Sequence, residues 1–413
     1  MNKLLNISIR FYSSKMMLIL RDTLKMMFPI MLLGSFAEVI KGAFLTPTGF
    51  MATLFKITKW LPYNRDLAWI MGSIFHCTID MIALYGAFGA AYYTAKVYGR
   101  KSAAAGAVGL LSFLIISFQL SDSGMPNFSP RLMSEGMLIS LIVGYVCGRI
   151  MVKLVDVKKD ELFQLIKPVA VVIVLSAVIN MILGLVGRLE IPTYVASFVT
   201  QHTQINALLY VLGMGLLTNL LSWMAFGGPF TNSPSFGDNA SLANMNAALK
   251  AGSAWNVPFK FTDTTLYHSF ANFGGTGVVL AFIIAILLFS KKVNNRRVSK
   301  WSIFPAIFNN NYAMMLGIPI LFNPIYLIPF LLAPLVNMIL AAGLLALRWI
   351  PAAAYPVPAG TPGPLIAFIG TNGNWLALIF GVVLIVLDVL IYMPFVKLAD
   401  QIIEEAGVAD EEI

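Results

Sequence analysis

The chain has 413 residues, 58% of them hydrophobic and 11% charged, and its mean hydropathy is +0.80. An ordinary soluble domain carries about 25% charged and about 45–50% apolar residues, so a soluble protein with an enlarged core is excluded. The net charge of +9 does not point to nucleic acid, because the basic residues are grouped between apolar runs, as in the cytoplasmic loops of membrane proteins.

In chain order, "NKLLNISIRFYSSKMMLILR" (2–21) is amphipathic and basic and is expected to lie along the bilayer surface; no cleavable signal pattern is evident. Apolar runs close to the length that crosses a hydrocarbon core of roughly 30 Å follow. They fall at 24–45, 67–97, 103–120, 134–154, 165–188, 205–226, 270–290, 323–347 and 373–396, and a short piece at 362–370 could add part of a tenth crossing. The expected fold is an all-α polytopic membrane protein with about ten transmembrane helices plus two re-entrant hairpins. "EIPTYVASFVTQHTQ" (190–204) mixes polar and apolar residues too closely to span. It reads as an amphipathic linker between a half at 1–189 and a half at 205–413. The basic run 291–300, "KKVNNRRVSK", is assigned to a cytoplasmic loop. The path between 190 and 290 stays open.

The two hairpins are placed near 227–262 and 305–320. The first stretch is rich in Gly, Pro and Asn and contains a short helix-like piece; the second, "PAIFNNNYAMMLGIPI", runs straight into an apolar helix. Irregular backbone at membrane depth survives only inside protein or beside a wet cavity. Paired interrupted segments point to a transporter's binding site; part of 227–262 also reads as an extramembrane loop.

Catalytic and metal-binding patterns are missing: His76, His202 and His268 are far apart, Cys77 and Cys147 sit singly in apolar segments, and no nucleotide loop or HExxH occurs. No metal, cofactor or catalytic residue is expected. The acids inside spans are Glu38, Asp80 and Asp388, for which pairing with nearby bases and a proton-coupling role are both open. What remains is a set of amides among aromatics. A sugar needs groups that both donate and accept, and flat faces for its C–H surfaces. Asn311 and Tyr312 are the first candidates, followed by Asn232, Asn246 and Trp255, and Asn310, His268 and Tyr355 are counted with them. The plainer reading is that such amides cap broken helices and such rings form interfacial belts.

Several segments resemble a known family. "LRDTLKMMFPIMLLGS" (20–35), "FANFGGTGVVLAFIIAILLFSKK" (270–292), "IFPAIFNNNYAMMLGIPILFNPIYLIPFLL" (303–332), "PLIAFIGTNGNWLALIFG" and "VLIYMPFVKLAD" are similar to enzyme IIC, the membrane subunit of the bacterial sugar phosphotransferase system, in its lactose/cellobiose/diacetylchitobiose branch. The resemblance implies a homodimer in the bacterial cell membrane, with the N-terminal half at the dimer interface and the C-terminal half carrying the sugar, a mono- or disaccharide. It also implies a IIB partner that phosphorylates the sugar from a phosphocysteine, with IIA acting through IIB. Neither cysteine here lies in a soluble segment, so those activities are expected from separate polypeptides. The chain departs from the pattern in three places. Asn311-Tyr312-Ala313 stands where the family has Asn-Glu-Pro, "WMAFGGPFTN" (223–232) lacks the family's histidine, and Tyr355 replaces a tryptophan. A sugar permease subunit is the leading expectation. An uncoupled facilitator, or a receptor, sensor or assembly partner on the same scaffold, are the alternatives.

Overall fold

The computed structural model describes residues 10, 12–100, 102–120, 126–128, 132–133, 136–155, 163–187, 206–231 and 239–405. The anticipated linker at 190–204 and the candidate Asn232 lie outside them. Among the described residues, six helices are long and apolar enough to cross a membrane: Lys15–Leu45, Asn64–Val97, Met137–Leu154, Leu165–Leu183, Pro324–Ala346 and Trp375–Glu405. Three shorter apolar helices cover Ala103–Ser117, Ala207–Trp223 and Val279–Phe289, so every anticipated span holds one of these helices. The chain divides into two compact units.

One unit comprises Ser13–Met27 and Ile79–Ile205. Its helices include the first part of α1 (Lys15–Val39), then α5 (Ile82–Val97), α6 (Ser102–Ser117), α7 (Met137–Leu154) and α8 (Phe163–Gly187). A short antiparallel strand pair, β1 (Phe118–Leu120) and β2 (Pro126–Phe128), follows α6. Between apolar helices in lipid no hydrophobic force remains, and association depends on close packing of small residues. A Cβ on Gly144 would lie 2.5 Å from the Ala87 carbonyl oxygen, and one on Gly148 2.6 Å from the Thr94 Cβ. Ala83, Ala87, Ala91 and Ala95 form the buried seam of α5. Cys147 is buried in the same seam with Met151 and Val172. Polar ties join these helices as well: Ser112 and Ser176 hydroxyls meet at 2.6 Å, and Asn180 donates to the Phe118 carbonyl at 2.8 Å, closing the C-terminal end of α6.

The other unit comprises Met1–Tyr12, Phe28–Thr78 and Asn206–Ile413. Here the last part of α1 passes into a π-helical segment, Ile40–Leu45. Thr46, ahead of Pro47, closes that segment by donating from both its N–H and its hydroxyl to the Lys41 carbonyl. Short α2 (Phe50–Phe55) and α3 (Ile57–Trp60) lead to α4 (Asn64–Thr78). After α9 (Ala207–Trp223) and α10 (Asn239–Ala251) comes a second π-helical turn, Thr264–His268. Helices α11 (Val279–Phe289), α12 (Val293–Ile307), α13 (Tyr312–Gly317), α14 (Pro324–Ala346), α15 (Gly363–Gly370) and α16 (Trp375–Glu405) complete it.

One expectation changes. The run 270–290 is not one helix: Gly274, Gly275 and Gly277 all have positive φ, as does Val278, and the helix begins only at Val279. Positive-φ positions at 274, 275 and 277 suit glycine because it lacks a Cβ. The basic run 291–300, expected between two spans, is largely helical and opens α12. The turn before it is anchored by Asp400, whose carboxylate accepts from the Lys291 N–H at 2.6 Å and the Ser290 hydroxyl at 3.0 Å. The anticipated helical piece in 227–262 is α10, and the short segment at 362–370 is α15.

Candidate functional site

The stretch 305–324 ends one helix and begins another by local chemistry. Pro305 lies in the last turn of α12, and Asn309 turns the chain with φ +64°, a left-handed conformation that asparagine tolerates better than most residues. Asn323 caps α14 by accepting from the Ile325 N–H at 3.1 Å, with Pro324 at the first helical position. Between them lies the six-residue α13, so a helix, a turn and a short helix replace a continuous span.

The turn's asparagines engage three other segments of the same unit. Asn309 donates to the Thr361 carbonyl at 2.8 Å and accepts from the Gly274 N–H at 3.0 Å. Asn311 donates to the Thr276 hydroxyl at 2.8 Å. Asn310, itself buried, donates to the Glu38 carboxylate and accepts from the Tyr312 N–H at 3.3 Å. The glycine loop is held from its other side as well. Asn219 accepts from the Gly277 N–H at 2.8 Å, and the Tyr392 hydroxyl donates to the Gly277 carbonyl. The loop 351–362 reaches the π-helical end of α1, where a Cβ on Gly360 would press on Ala43, and the start of α2, where the Phe50 N–H meets the Ala359 carbonyl at 2.9 Å. Four broken segments therefore meet: the end of α1, the glycine loop, the turn at 308–312 and the loop 351–362.

Glu38 approaches this junction from an apolar helix. Phe36 stacks on Phe304 with centroids 5.0 Å apart and Phe44 lies 5.5 Å from Phe308, so aromatic contacts on both sides fix the approach. An acid at the centre of a spanning helix costs about 2.5–3.5 kcal/mol, which the Asn310 hydrogen bond offsets in part. Lys41, three residues on, extends over the Phe75 ring of α4 at 5.8 Å.

The sequence candidates separate into groups. Asn310, Asn311 and Tyr312 are at the junction, with Tyr312 half-buried. Asn246 is exposed on α10, whereas its neighbour Asn244 is buried and bonds both the N–H and the carbonyl of Phe259, at 2.9 and 2.6 Å. Trp255 is 41% exposed just beyond α10. Tyr355 donates to the Ala248 carbonyl at 3.3 Å, tying the loop 351–362 to α10. His268 is buried in the π-helical turn, edge-on to Tyr267, with Nε2 4.0 Å from Asp263. Asp388 is fully buried and accepts from Asn337 at 2.9 Å, which also donates to the Phe270 carbonyl at 3.0 Å. Thr276, Thr361 and the junction role of Glu38 were not anticipated. The only sequence signal for Glu38 is an acid standing in "GSFAEVIKGAFL".

Residues 21–334 match the family model described as phosphotransferase system, EIIC. The cellobiose-specific EIIC component of Lactococcus lactis subsp. lactis is 23% identical, covering 97% of this chain and 97% of that protein. The oligo-beta-mannoside-specific EIIC component of Bacillus subtilis is 26% identical over 95% of this chain and 91% of its own length. Among solved structures, ChbC, the IIC component of the N,N'-diacetylchitobiose-specific system, aligns over 99% of both chains at 22% identity, with a TM-score of 0.43. Matched over well more than half its length, this chain belongs to the EIIC family of the phosphotransferase system and is a membrane sugar permease component.

Proposed function

We propose that the chain carries a β-linked di- or oligosaccharide across the bacterial membrane and presents it to a IIB component for phosphorylation. The observation behind this reading is the junction of four broken segments, where backbone breaks, a carboxylate, amides and Tyr312 meet within a chain otherwise built of apolar helices. The relatives' sugars, cellobiose and oligo-β-mannosides, share β-linked pyranose rings, whose hydroxyls suit amides and whose C–H faces suit an aromatic ring. In this reading Tyr312 offers its ring and hydroxyl to the sugar, Asn310 and Asn311 hold the walls on either side, Trp255, Tyr355 and Asn246 belong to the outer path, and His268 and Asn232 are counted as further sugar contacts. IIA acts through IIB, lipid surrounds the apolar helices, and a homodimer forms through the half at 1–189.

The test is uptake of radiolabelled cellobiose and mannobiose by cells expressing the chain, with and without a functional IIB. Phosphosugar that accumulates only with IIB supports the reading; free sugar entering at an unchanged rate without IIB would make the chain an uncoupled facilitator. Tyr312→Ala should weaken sugar binding roughly tenfold through loss of stacking. Tyr392→Phe, which removes only the bond to the Gly277 carbonyl, should leave affinity within about twofold. Equal effects on affinity would remove Tyr312 from the site.

A further inference from the structure

We propose that Asp388 holds a resident proton shared with Asn337, and that this neutral acid–amide pair positions the entry to the glycine loop whatever sugar is carried. Asn337 on α14 and Asp388 on α16 are both 0% exposed. A side-chain amide has two N–H donors and one carbonyl oxygen. Asn337 donates to the Phe270 carbonyl at 3.0 Å and to Asp388 Oδ2 at 2.9 Å, which uses both N–H groups and fixes which end of the amide is which. One oxygen is left on each side chain. Asn337 Oδ1 and Asp388 Oδ1 are both enclosed, and neither has a donor among the described residues. An ionised Asp388 gives this pair two facing acceptors and nothing to donate. A proton on Asp388 Oδ1 turns one of them into a donor, with Asn337 Oδ1 as acceptor on the partner already joined to it. The two bonds then close an acid–amide ring that satisfies both side chains.

Charge points the same way. Asp388 makes no ion pair among the described residues, and an unpaired carboxylate inside a spanning helix is costly. A water bridging the two oxygens would satisfy their hydrogen bonding and leave that charge in place. A metal cation would neutralise it, but hard cations take about six oxygens or more, whereas the pair offers two. No group of three acid, His or Cys side chains that could hold a metal occurs among the described residues. A proton needs only the two oxygens.

The consequence is positional. Phe270 lies between the π-helical turn Thr264–His268 and the glycines at 274–277, so the Asn337 amide holds the chain where it enters the loop. Tyr392, one turn along α16 from Asp388, donates to the Gly277 carbonyl at the loop's far end. Asp388 acts through Asn337 and is a positioning residue. Because both side chains are enclosed, the proton stays with the pair and is not passed across the membrane with the substrate.

The experiment is infrared spectroscopy of the full-length chain in nanodiscs at neutral pH, with aspartate carrying carbon-13 at its side-chain carboxyl. The wild type should show a labelled carboxylic-acid C=O band that Asp388→Asn lacks, with the carboxylate bands equal in the two. A wild type without a protonated aspartate band, or a difference spectrum that loses a carboxylate band instead, overturns the proposal. Asparagine at 388 copies the neutral acid: its nitrogen donates to Asn337 Oδ1 and its oxygen accepts from the Asn337 N–H. Asp388→Asn should therefore melt with the wild type, whereas Asp388→Ala strands both ends of the Asn337 amide and should melt earlier. If Asp388→Asn is recovered unfolded, or melts as early as Asp388→Ala, the fold needs the charged form and the proton is dismissed. Melting in sodium chloride against choline chloride tests the other occupant. Equal curves are expected; a sodium-dependent rise in the wild type that Asp388→Asn loses would give the site to the cation.

Discussion

The helices at 79–187 and the broken segments at 264–374 satisfy the same requirement by opposite means. In hydrocarbon every backbone N–H and C=O must find a partner within the protein. The first region meets this with regular helices, and its side chains have only to be small enough for close approach, as at Gly144 and Gly148. The second gives up regular helix at the glycine loop and the 308–312 turn, and side-chain amides take over the role of the missing backbone partners. Asn219 and Asn309 receive the N–H groups of Gly277 and Gly274, and Asn337 supplies a donor to the Phe270 carbonyl. Polar side chains in this protein are therefore concentrated where backbone has been freed, and that is also where a polar substrate can be met.

The comparison breaks most sharply at the small residues. Gly144→Leu places carbon where a Cβ already lies 2.5 Å from the Ala87 carbonyl oxygen, a backbone atom that cannot swing aside. The expected cost is about 3 kcal/mol, read as a lowered melting temperature and poor recovery of monodisperse protein. Gly213→Ala in α9 is the control, because a Cβ there meets nothing within 4 Å and the exchange should be neutral or mildly stabilising. Similar damage from both would mean that small residues are not what packs α5 against α7.

At the broken segments the sharper probe is Asn309→Gly. Glycine keeps the left-handed backbone and removes only the amide, so two ties are lost together, to Gly274 and Thr361. Each hydrogen bond contributes about 1 kcal/mol, and the loss of both should lower stability by about 2 kcal/mol. Sugar affinity should drop as well, because the glycine loop and the loop 351–362 are no longer held to the same turn. Protease cutting within 351–362, compared with wild type, reads the release directly; an unchanged cleavage pattern would show that the loop is fixed without Asn309.

Much of this architecture was legible in the sequence because run length is a strong signal: each apolar run near 20 residues holds a helix, and the Pro- and Asn-rich piece at 305–320 interrupts helix as expected. The misjudged span, 270–290, failed because its apolar residues continue across Gly274, Gly275 and Gly277. Hydropathy does not register a change of φ, whereas three glycines in four positions do. The basic run 291–300 opens a helix, which charge density does not reveal, because charge says which surface a segment meets and not whether it is helical. The site was harder. That 309–311 would be bonded was readable from three consecutive amides, but their partners at 274, 276 and 361 depend on the fold. The pairing of Asn310 with Glu38 joins positions 272 residues apart, and no local pattern contains it.

The smallest expected difference tests whether amides here act by burial or merely by being present. Asn244 and Asn246 are two residues apart on α10 and face different surroundings. Asn244 is 1% exposed and bonds both polar groups of Phe259, which turns the segment after α10 back along the helix. Removing it takes two part-buried hydrogen bonds from Phe259, and Asn244→Ala should lower stability by about 1–2 kcal/mol. Asn246 is exposed, and Asn246→Ala should stay within about 0.5 kcal/mol, so any effect it has must appear in sugar affinity. Melting curves and cellobiose binding for the two variants separate these outcomes. A stability loss at Asn246 matching that at Asn244 would mean that its exposed face is covered in the working protein; a loss of affinity alone would keep it on the outer path of the sugar.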